Sequence, residues 1–280
     1  MKKIIGIFTI ISLIAVSSIA QQSKGLYIQG SETVLPLSLK FAEVYRKMNP
    51  GTEVQVVGGG SGVGIDALIK GKTDIAQASR KIKPGELEKL KAQGRTIKEV
   101  EIAYDALAVI VNPANGLDKL TREQLEEIFT GKVSNWQELG GDNIPVIIFS
   151  RESSSGTYAF FKEHVLQNNE YAASSMVMPN MDALTLSVSQ TPNSIGYIGL
   201  AYLNKDVKAV NVSFDGKTFV GPSEKTVFDK TYPIIRSLYY YYDVKEECKV
   251  MDFLNFVLSP DGQQIVEEVG YIPILTNNSK

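Results

Sequence analysis

Strand-like and helix-like segments alternate along most of this 280-residue chain. Short apolar runs predict strands at residues 26–30 and 53–57, and each run precedes a segment whose apolar residues recur at helical spacing. Residues 106–111 form an almost unbroken apolar run, which is typical of a strand buried on both faces. This alternation indicates the α/β class, in which helices cover the faces of a sheet.

A second series of strands and helices begins after Pro113. Thr121 and Gln124 are spaced as a capping box and predict the start of a helix, which Gly131 is placed to end. Further strand patterns follow, and they continue from about residue 207. We therefore expect two lobes. The first contains residues 24–108 and 205–280, and the second, inserted lobe contains residues 109–204.

The N-terminus has the pattern of an export signal. Lys2 and Lys3 supply a basic start, residues 4–16 form an apolar stretch, and small residues precede Gln21. We expect residues 1–20 to be a signal peptide that is removed after Ala20. No cysteine follows the apolar stretch, so we expect export without the lipid anchor that many bacterial binding proteins carry.

Composition argues against several classes of function. The chain has 29 basic and 31 acidic side chains, so it lacks the positive excess that nucleic-acid binding requires. Its one cysteine, Cys248, and its one histidine, His164, exclude an intramolecular disulfide and zinc sites built from these residue types. His164 lies in a segment with the pattern of an amphipathic helix, so we expect a structural role rather than that of a hydrolase base.

Three loops combine glycine with serine or threonine, and each immediately precedes a predicted helix. They occupy residues 30–34, 58–62 and 153–157. A helix N-terminus carries unpaired N–H donors and a partial positive charge, so each loop is a candidate seat for an anion. Serine and threonine are also common N-caps, and capping alone explains any single loop. Three such loops together with Arg151 favour a dehydrated tetrahedral anion.

Nucleotide-binding motifs are incomplete in this chain. Residues 71–73 resemble the end of a Walker A loop, but Asp66 stands where that motif requires glycine. No complete GxGxxG pattern runs through residues 58–64. A ligand of the size of phosphate therefore fits the sequence better than a nucleotide.

Several segments together carry a pattern that one known family shares. They occupy residues 30–34, 59–64, 74–80, 120–141, 151–157, 195–199 and 232–236. Their order closely resembles that of the periplasmic phosphate-binding proteins of bacterial ABC phosphate importers, over about residues 25–275. The resemblance implies a two-lobed type II periplasmic binding protein fold. In that fold, mixed sheets are flanked by helices, two strands cross between the lobes, and the anion lies in the cleft.

The resemblance also implies which residues contact the anion. In the first lobe these are Ser31, Thr33, the Val34 N–H and Ser61. In the second lobe they are Arg151, Ser155, Gly156 and Thr157. We expect Arg151 to be the main cation, because its planar fork can donate two parallel hydrogen bonds to one anion.

One position departs from the best-known enteric members of that family. Those proteins have an aspartate that accepts the proton of phosphate where this chain, like other shorter members, has Arg80. We nominate Asp105 as the acceptor, with a hinge-capping carboxylate as the alternative role, and we expect Arg80 to pair with Asp105 or to bind the anion itself. Asp74 and Glu32 are the next candidates.

The leading hypothesis is a binding protein without enzymatic activity, metal or cofactor. It would capture inorganic phosphate in the periplasm as a monomer and deliver it to a membrane ABC permease. Sulfate, molybdate and tungstate remain alternative ligands, and a phosphate sensor of the same fold remains an alternative function. An exported phosphoryl hydrolase is disfavoured, since the sequence offers neither a metal-ligand cluster nor an activated nucleophile with its base.

Overall fold

The structure is a computed structural model that describes residues 25–274. The signal peptide expected at residues 1–20 lies outside the described residues. Within residues 25–274, no helix combines the length and the apolar character that crossing a bilayer requires.

Strands and helices alternate along the described chain, which confirms the α/β class. The strands are β1 (Leu26–Gly30), β2 (Val54–Val57), β3 (Ile75–Ala78), β4 (Ile97–Val111), β5 (Lys119–Thr121), β6 (Ile147–Arg151), β7 (Met176–Met178), β8 (Ser194–Gly199), β9 (Lys208–Ala209), β10 (Asn211–Ser213) and β11 (Ile235–Asp243). The α-helices are α1 (Leu35–Met48), α2 (Ser61–Ile69), α3 (Pro84–Ala92), α4 (Arg122–Thr130), α5 (Gly156–His164), α6 (Met181–Gln190), α7 (Glu224–Phe228), α8 (Glu247–Leu258) and α9 (Pro260–Glu268). Short 3₁₀ helices occupy Trp136–Leu139, Leu200–Tyr202 and Val244–Glu246.

One mixed sheet runs through the molecule. Its strand order is β2-β1-β3-β11-β4-β8-β6-β7, and β9 pairs with β4 beside this path. The outer strands pair in parallel, β1 with β2 and β3, and β6 with β7 and β8. The central strands β4 and β11 run antiparallel to their neighbours. Strands β5 and β10 form a separate parallel pair. The mixed sheet that the family resemblance implied is therefore confirmed.

Strand β4 connects the two halves of this sheet. Residues 97–106 of β4 pair with β11, whereas residues 107–111 pair with β8. Every residue of β4 from Asp105 to Val111 is buried, as the apolar run at 106–111 predicted. We therefore propose that the chain first crosses from one lobe to the other in the middle of β4.

Separate apolar cores lie on the two sides of this crossing. In the first lobe, Phe41 of α1 and Phe253 of α8 pack in one cluster with Tyr240 of β11. In the second lobe, Phe129 of α4 and Tyr197 of β8 pack in another cluster. Each lobe thus has a core of its own, and the cleft lies between the two.

The packing of residues 205–234 bears on where the chain returns to the first lobe, a return that the sequence pattern predicts near residue 205. Apolar residues of the segment before β11 belong to the core of the second lobe: Val210, Val212, Val227, Tyr232 and Ile234. Strand β9 also pairs with the part of β4 that lies in the second lobe. We therefore propose that the second crossing is at about residue 235, where β11 begins.

Helix α2 lies directly against β1 at Gly64, and this contact generates a prediction about stability. A Cβ atom at position 64 would lie 2.3 Å from the carbonyl oxygen of Gln29 and 2.6 Å from Cα of Gly30. Backbone atoms cannot rotate away, so Gly64→Ala must push the helix off the strand. Overpacking of this kind costs about 1–3 kcal/mol, and we expect a melting temperature several degrees lower by circular dichroism.

Gly85→Ala is the matched control for Gly64→Ala. Gly85 lies in α3, and no atom lies within 4 Å of the position that its Cβ would take. We expect an unchanged or slightly higher melting temperature, because alanine restricts the unfolded chain without a clash. If Gly64→Ala melts at the same temperature as Gly85→Ala, the close packing of α2 on β1 is not a source of stability.

Candidate functional site

The three glycine- and serine-rich loops converge between the lobes, where they lead into α1, α2 and α5. A Cβ atom at Gly156, the first residue of α5, would lie 2.2 Å from Ser61 Oγ and 2.5 Å from Ser79 Oγ. The Gly62 N–H of α2 donates a hydrogen bond to the Ser154 carbonyl at 3.0 Å. The N-termini of α2 and α5, which belong to different lobes, are therefore in contact across the cleft.

Buried hydroxyl groups fill the space where these loops meet. Thr33 Oγ1 of the first lobe and Thr157 Oγ1 of the second lobe lie 2.9 Å apart. Ser79 Oγ lies 3.1 Å from Ser31 Oγ and 3.4 Å from Ser61 Oγ. None of these five residues exposes more than 1 % of its surface. Hydroxyl groups held out of water in this way are donors that an anion without its hydration shell can use.

Two of the nominated serines also cap helices or turns. Ser31 Oγ accepts hydrogen bonds from the N–H groups of Thr33 and Val34 at 3.2 and 3.4 Å. Ser155 is the N-cap of α5, and its Oγ accepts from the Thr157 N–H at 3.2 Å. An oxygen that accepts in this way still leaves its own hydroxyl hydrogen to donate. Capping and anion binding are therefore compatible at Ser155, whereas the Ser31 hydroxyl donates to Ser79 Oγ at 3.1 Å in this structure.

Arg151 is a buried cation at the end of β6. Its Nε donates to the Met178 carbonyl at 3.1 Å and its Nη2 donates to the Pro179 carbonyl at 2.8 Å. Its Nη1 is buried without a hydrogen-bond partner, and none of the ion pairs among the described residues involves it. Burial lowers the pKa of the guanidinium, but arginine keeps its charge in proteins. The carboxylates of Glu32 and Glu152 act on Arg151 through space but do not hydrogen-bond to it. Because a buried charge without a directly paired counter-ion is unfavourable, Arg151 is a candidate contact for an anion.

Asp105 forms a buried ion pair with Arg236 at the crossing of β4 and β11. Arg236 Nε and Nη2 donate to Asp105 Oδ2 at 3.0 and 2.7 Å, and the Leu200 N–H donates to Oδ1 at 3.3 Å. Burial raises the pKa of the Asp105 carboxyl above its ordinary value, and the charge of Arg236 opposes this shift. These contacts favour the role of a structural carboxylate at the hinge over that of a proton acceptor for phosphate.

Arg80 pairs with Glu86, so the expectation that it would pair with Asp105 is wrong. Its Nη1 and Nη2 donate to the two carboxylate oxygens of Glu86 at 2.8 and 2.7 Å, which is the bidentate geometry that arginine prefers. Arg236 instead forms the ion pair with Asp105. Arg80 still borders the cleft, since a Cβ atom at Gly62 would lie 3.7 Å from its Nη2. Glu86 neutralises its charge.

The other two nominated carboxylates lie in different surroundings. Asp74 accepts from the Tyr27 N–H at 2.8 Å and forms an ion pair with Lys249 at 2.6 Å, at the end of β3 away from the loops. The Glu32 carboxylate accepts from the Gly59 N–H, within the second glycine-rich loop. Glu32 is therefore next to the site, and Asp74 is not.

Two buried residues at the site were not nominated from the sequence, Ser79 and Arg236. Arg236 Nη1 donates to Thr157 Oγ1 at 3.0 Å and Nη2 donates to Thr33 Oγ1 at 3.3 Å, so it contacts both lobes. Both residues stand in segments that the family resemblance covers, residues 74–80 and 232–236. An arginine that follows an apolar run is itself a signal, because arginine is almost never fully buried unless it is paired.

The sequence matches the PBP superfamily domain over residues 15–261. This chain belongs to the PBP superfamily. The phosphate-binding protein PstS of Pseudomonas aeruginosa is 36 % identical over 264 residues, which cover 88 % of this chain and 81 % of PstS. The resemblance to periplasmic phosphate-binding proteins is therefore confirmed.

Solved structures support the same family. A crystal structure from Clostridium perfringens that contains bound phosphate has a TM-score of 0.82 and 33 % identity, and the match covers 90 % of this chain and 100 % of that one. The ABC-type phosphate transport receptor of Vibrio cholerae has a TM-score of 0.74 and 30 % identity, with coverage of 88 % and 99 %. The fold of this PBP-superfamily chain is thus that of phosphate-binding proteins and transport receptors.

The buried ion pair at the crossing generates a prediction about stability. Asp105→Asn removes the counter-ion of Arg236 and leaves a guanidinium uncompensated at a position with 1 % side-chain exposure. Removing one partner of a buried pair costs about 3–5 kcal/mol, so we expect a clearly lower urea midpoint in equilibrium unfolding.

Asp66→Asn is the matched control for Asp105→Asn, because it makes the same chemical change in an exposed pair with Lys70. Exposed pairs of this kind contribute little, so we expect an almost unchanged midpoint. Equal midpoints for the two variants would contradict a stabilising role of the pair between Asp105 and Arg236.

Proposed function

We propose that this protein binds inorganic phosphate outside the cytoplasm and delivers it to a membrane ABC permease. The observation that carries the proposal is the buried Nη1 of Arg151, which has no hydrogen-bond partner. Arg151 precedes the loop that leads into the N-terminus of α5. A tetrahedral anion bound there supplies the missing negative charge. PstS and the phosphate transport receptor named above support phosphate as that anion and transport as the purpose of binding.

The charges around the cleft suit a small anion. Arg236 is neutralised by Asp105 and Arg80 is neutralised by Glu86, so Arg151 is the one of these three arginines without a paired carboxylate. The Glu32 carboxylate next to the site acts on Arg151 through space without pairing with it. The N-termini of α1, α2 and α5 add partial positive charge and N–H donors. Neutral hydroxyl groups complete the surface without adding charge. This combination fits a mono- or divalent phosphate better than a polyanion.

We further propose that the protein captures its ligand without changing it. Within residues 25–274, no group of three or more histidine, cysteine or acidic side chains is placed to hold a metal ion. His164 packs against the ring of Phe160 at 4.1 Å between ring centres. A phosphoryl hydrolase requires a metal cluster or a nucleophile with an adjacent base. The arrangement of the described residues therefore favours a binding protein over a hydrolase.

Capture depends on closure of the two lobes. Each lobe supplies some of the hydrogen-bond donors, and β4 and β11 connect the two lobes. An anion that accepts hydrogen bonds from both lobes therefore holds them together. We propose that the protein acts as a monomer in the periplasm, a location that the export pattern of residues 1–20 supports.

Titration calorimetry of the wild-type protein, dialysed into buffer without phosphate, tests the proposed function. We expect one phosphate to bind per chain, and sulfate, molybdate and tungstate to bind at least about tenfold more weakly. Tighter binding of sulfate than of phosphate would assign the protein to another oxyanion. Absence of binding to all four anions would overturn the proposal.

Substitution of Arg151 tests the observation that carries the proposal. Arg151→Ala removes the buried cation, and truncating one partner of a buried charge pair costs about 2–5 kcal/mol of binding. We expect calorimetry to show phosphate affinity lower by at least about thirtyfold. Arg151→Lys should recover part of the loss, since an ammonium keeps the charge but lacks the planar fork.

Arg122→Ala is the control for Arg151→Ala. Arg122 lies on α4, and its guanidinium pairs with the carboxylates of Glu123 and Glu126. We expect wild-type affinity for phosphate. Wild-type affinity in Arg151→Ala as well would remove Arg151 from the site.

A further inference from the structure

Arg236 uses all of its N–H groups in contacts within the protein. An arginine side chain carries five N–H donors. Nε and Nη2 donate to Asp105, Nη2 also donates to Thr33, and Nη1 donates to Thr157 and, at 3.5 Å, to the Ser79 carbonyl. No donor is left for a direct bond to an anion. Arg236 differs in this respect from Arg151, whose Nη1 has no partner.

The guanidinium of Arg236 is also fixed in orientation. Asp105 holds one edge through two hydrogen bonds, and the ring of Phe160 lies 5.7 Å from Cζ, within the range of a cation–π contact. Arg236 belongs to β11, at the second crossing between the lobes. Its contacts reach Thr33 in the first lobe and Thr157 in the second lobe, so they all form only when the lobes are together.

Donation from Arg236 determines what the two threonine hydroxyls can do. An N–H that donates to a hydroxyl oxygen occupies a lone pair and leaves the hydroxyl hydrogen for another acceptor. One of these hydrogens bridges the 2.9 Å between Thr33 Oγ1 and Thr157 Oγ1. An anion next to both oxygens can accept both hydrogens while Arg236 keeps the oxygens in place. A charged donor also polarises the hydroxyl and strengthens the bond that it donates.

We propose that Arg236, held by Asp105, is a positioning residue that presents the hydroxyls of Thr33 and Thr157 to phosphate and joins the two lobes in the closed state. The proposal rests on the proposed function, because it assigns these hydroxyls to the phosphate site. Arg236 acts through the threonines and not by contact with the ligand. Its effect on affinity therefore depends on the presence of their hydroxyl groups.

A mutant cycle measured by phosphate calorimetry tests this dependence. In the wild-type background, we expect Arg236→Gln to weaken phosphate binding by about ten- to a hundredfold, the effect of losing a hydrogen bond to a charged group. In a background that carries Thr33→Val and Thr157→Val, we expect Arg236→Gln to change the affinity less than about threefold. A role limited to folding does not produce this difference between backgrounds.

Two further variants keep the test informative if Arg236→Gln folds poorly. Arg236→Lys retains a charge beside Asp105 but cannot donate to both threonines, and Asp105→Asn combined with Arg236→Gln leaves no buried charge. We expect both proteins to fold and to bind phosphate about tenfold or more weakly than wild type. Arg95→Gln is the control, since it breaks the ion pair with Asp243 at the other end of β11, and it should leave phosphate affinity unchanged.

The outcomes separate this proposal from the proposed function. Wild-type protein that binds no phosphate would overturn the function itself. Wild-type protein that binds phosphate, together with unchanged affinity in the Arg236 variants, would overturn the positioning role alone. An equal loss of affinity in both backgrounds would also overturn it, because Arg236 would then act independently of Thr33 and Thr157.

Discussion

Burying the guanidinium of Arg151 without a hydrogen-bonded carboxylate is unfavourable, and an anion that enters the site would compensate its charge. Two backbone carbonyls orient the side chain but do not neutralise it. The surroundings of Arg151 follow from this constraint. Helix N-termini and buried hydroxyl groups supply hydrogen-bond donors from both lobes.

The three arginines around the cleft differ in whether a carboxylate pairs with them. Arg236 and Arg80 each have a carboxylate partner, Asp105 and Glu86, so they add donors and rigidity without adding net charge. Arg151 has no such ion pair, and its Nη1 has no hydrogen-bond partner. If all three were unpaired, the closed state would bring like charges together without an anion and would be disfavoured. The two ion pairs therefore reduce the repulsion between these arginines when the lobes are together.

Local sequence patterns predicted the parts of this structure that local forces determine. Thr121 and Gln124 form the expected capping box, and Gly131 ends α4 in the left-handed conformation. The run at residues 106–111 is buried, and Ser155 caps α5. Each of these features depends on residues that are close in the chain, so spacing alone reveals it.

Contacts between distant segments could not be predicted in the same way. The partner of Asp105 lies 131 positions along the chain, and residue spacing does not distinguish Arg236 from Arg80 as that partner. Sequence patterns place the second crossing near residue 205, whereas we propose a position near residue 235, because the packing of the segment before β11 in the core of the second lobe depends on tertiary contacts. Residue patterns located the three loops, and the family resemblance assigned them to one anion site. Only the folded structure shows that Arg236 joins two of them, through Thr33 and Thr157.

A crystal structure of the protein with bound phosphate tests the central claim most directly. We predict one phosphate between the lobes, with an oxygen within about 3 Å of Arg151 Nη1 and others within reach of the hydroxyls of Thr33, Ser61 and Thr157. Phosphate bound outside the three loops, or bound between them while Arg151 Nη1 contacts only protein, would contradict the account.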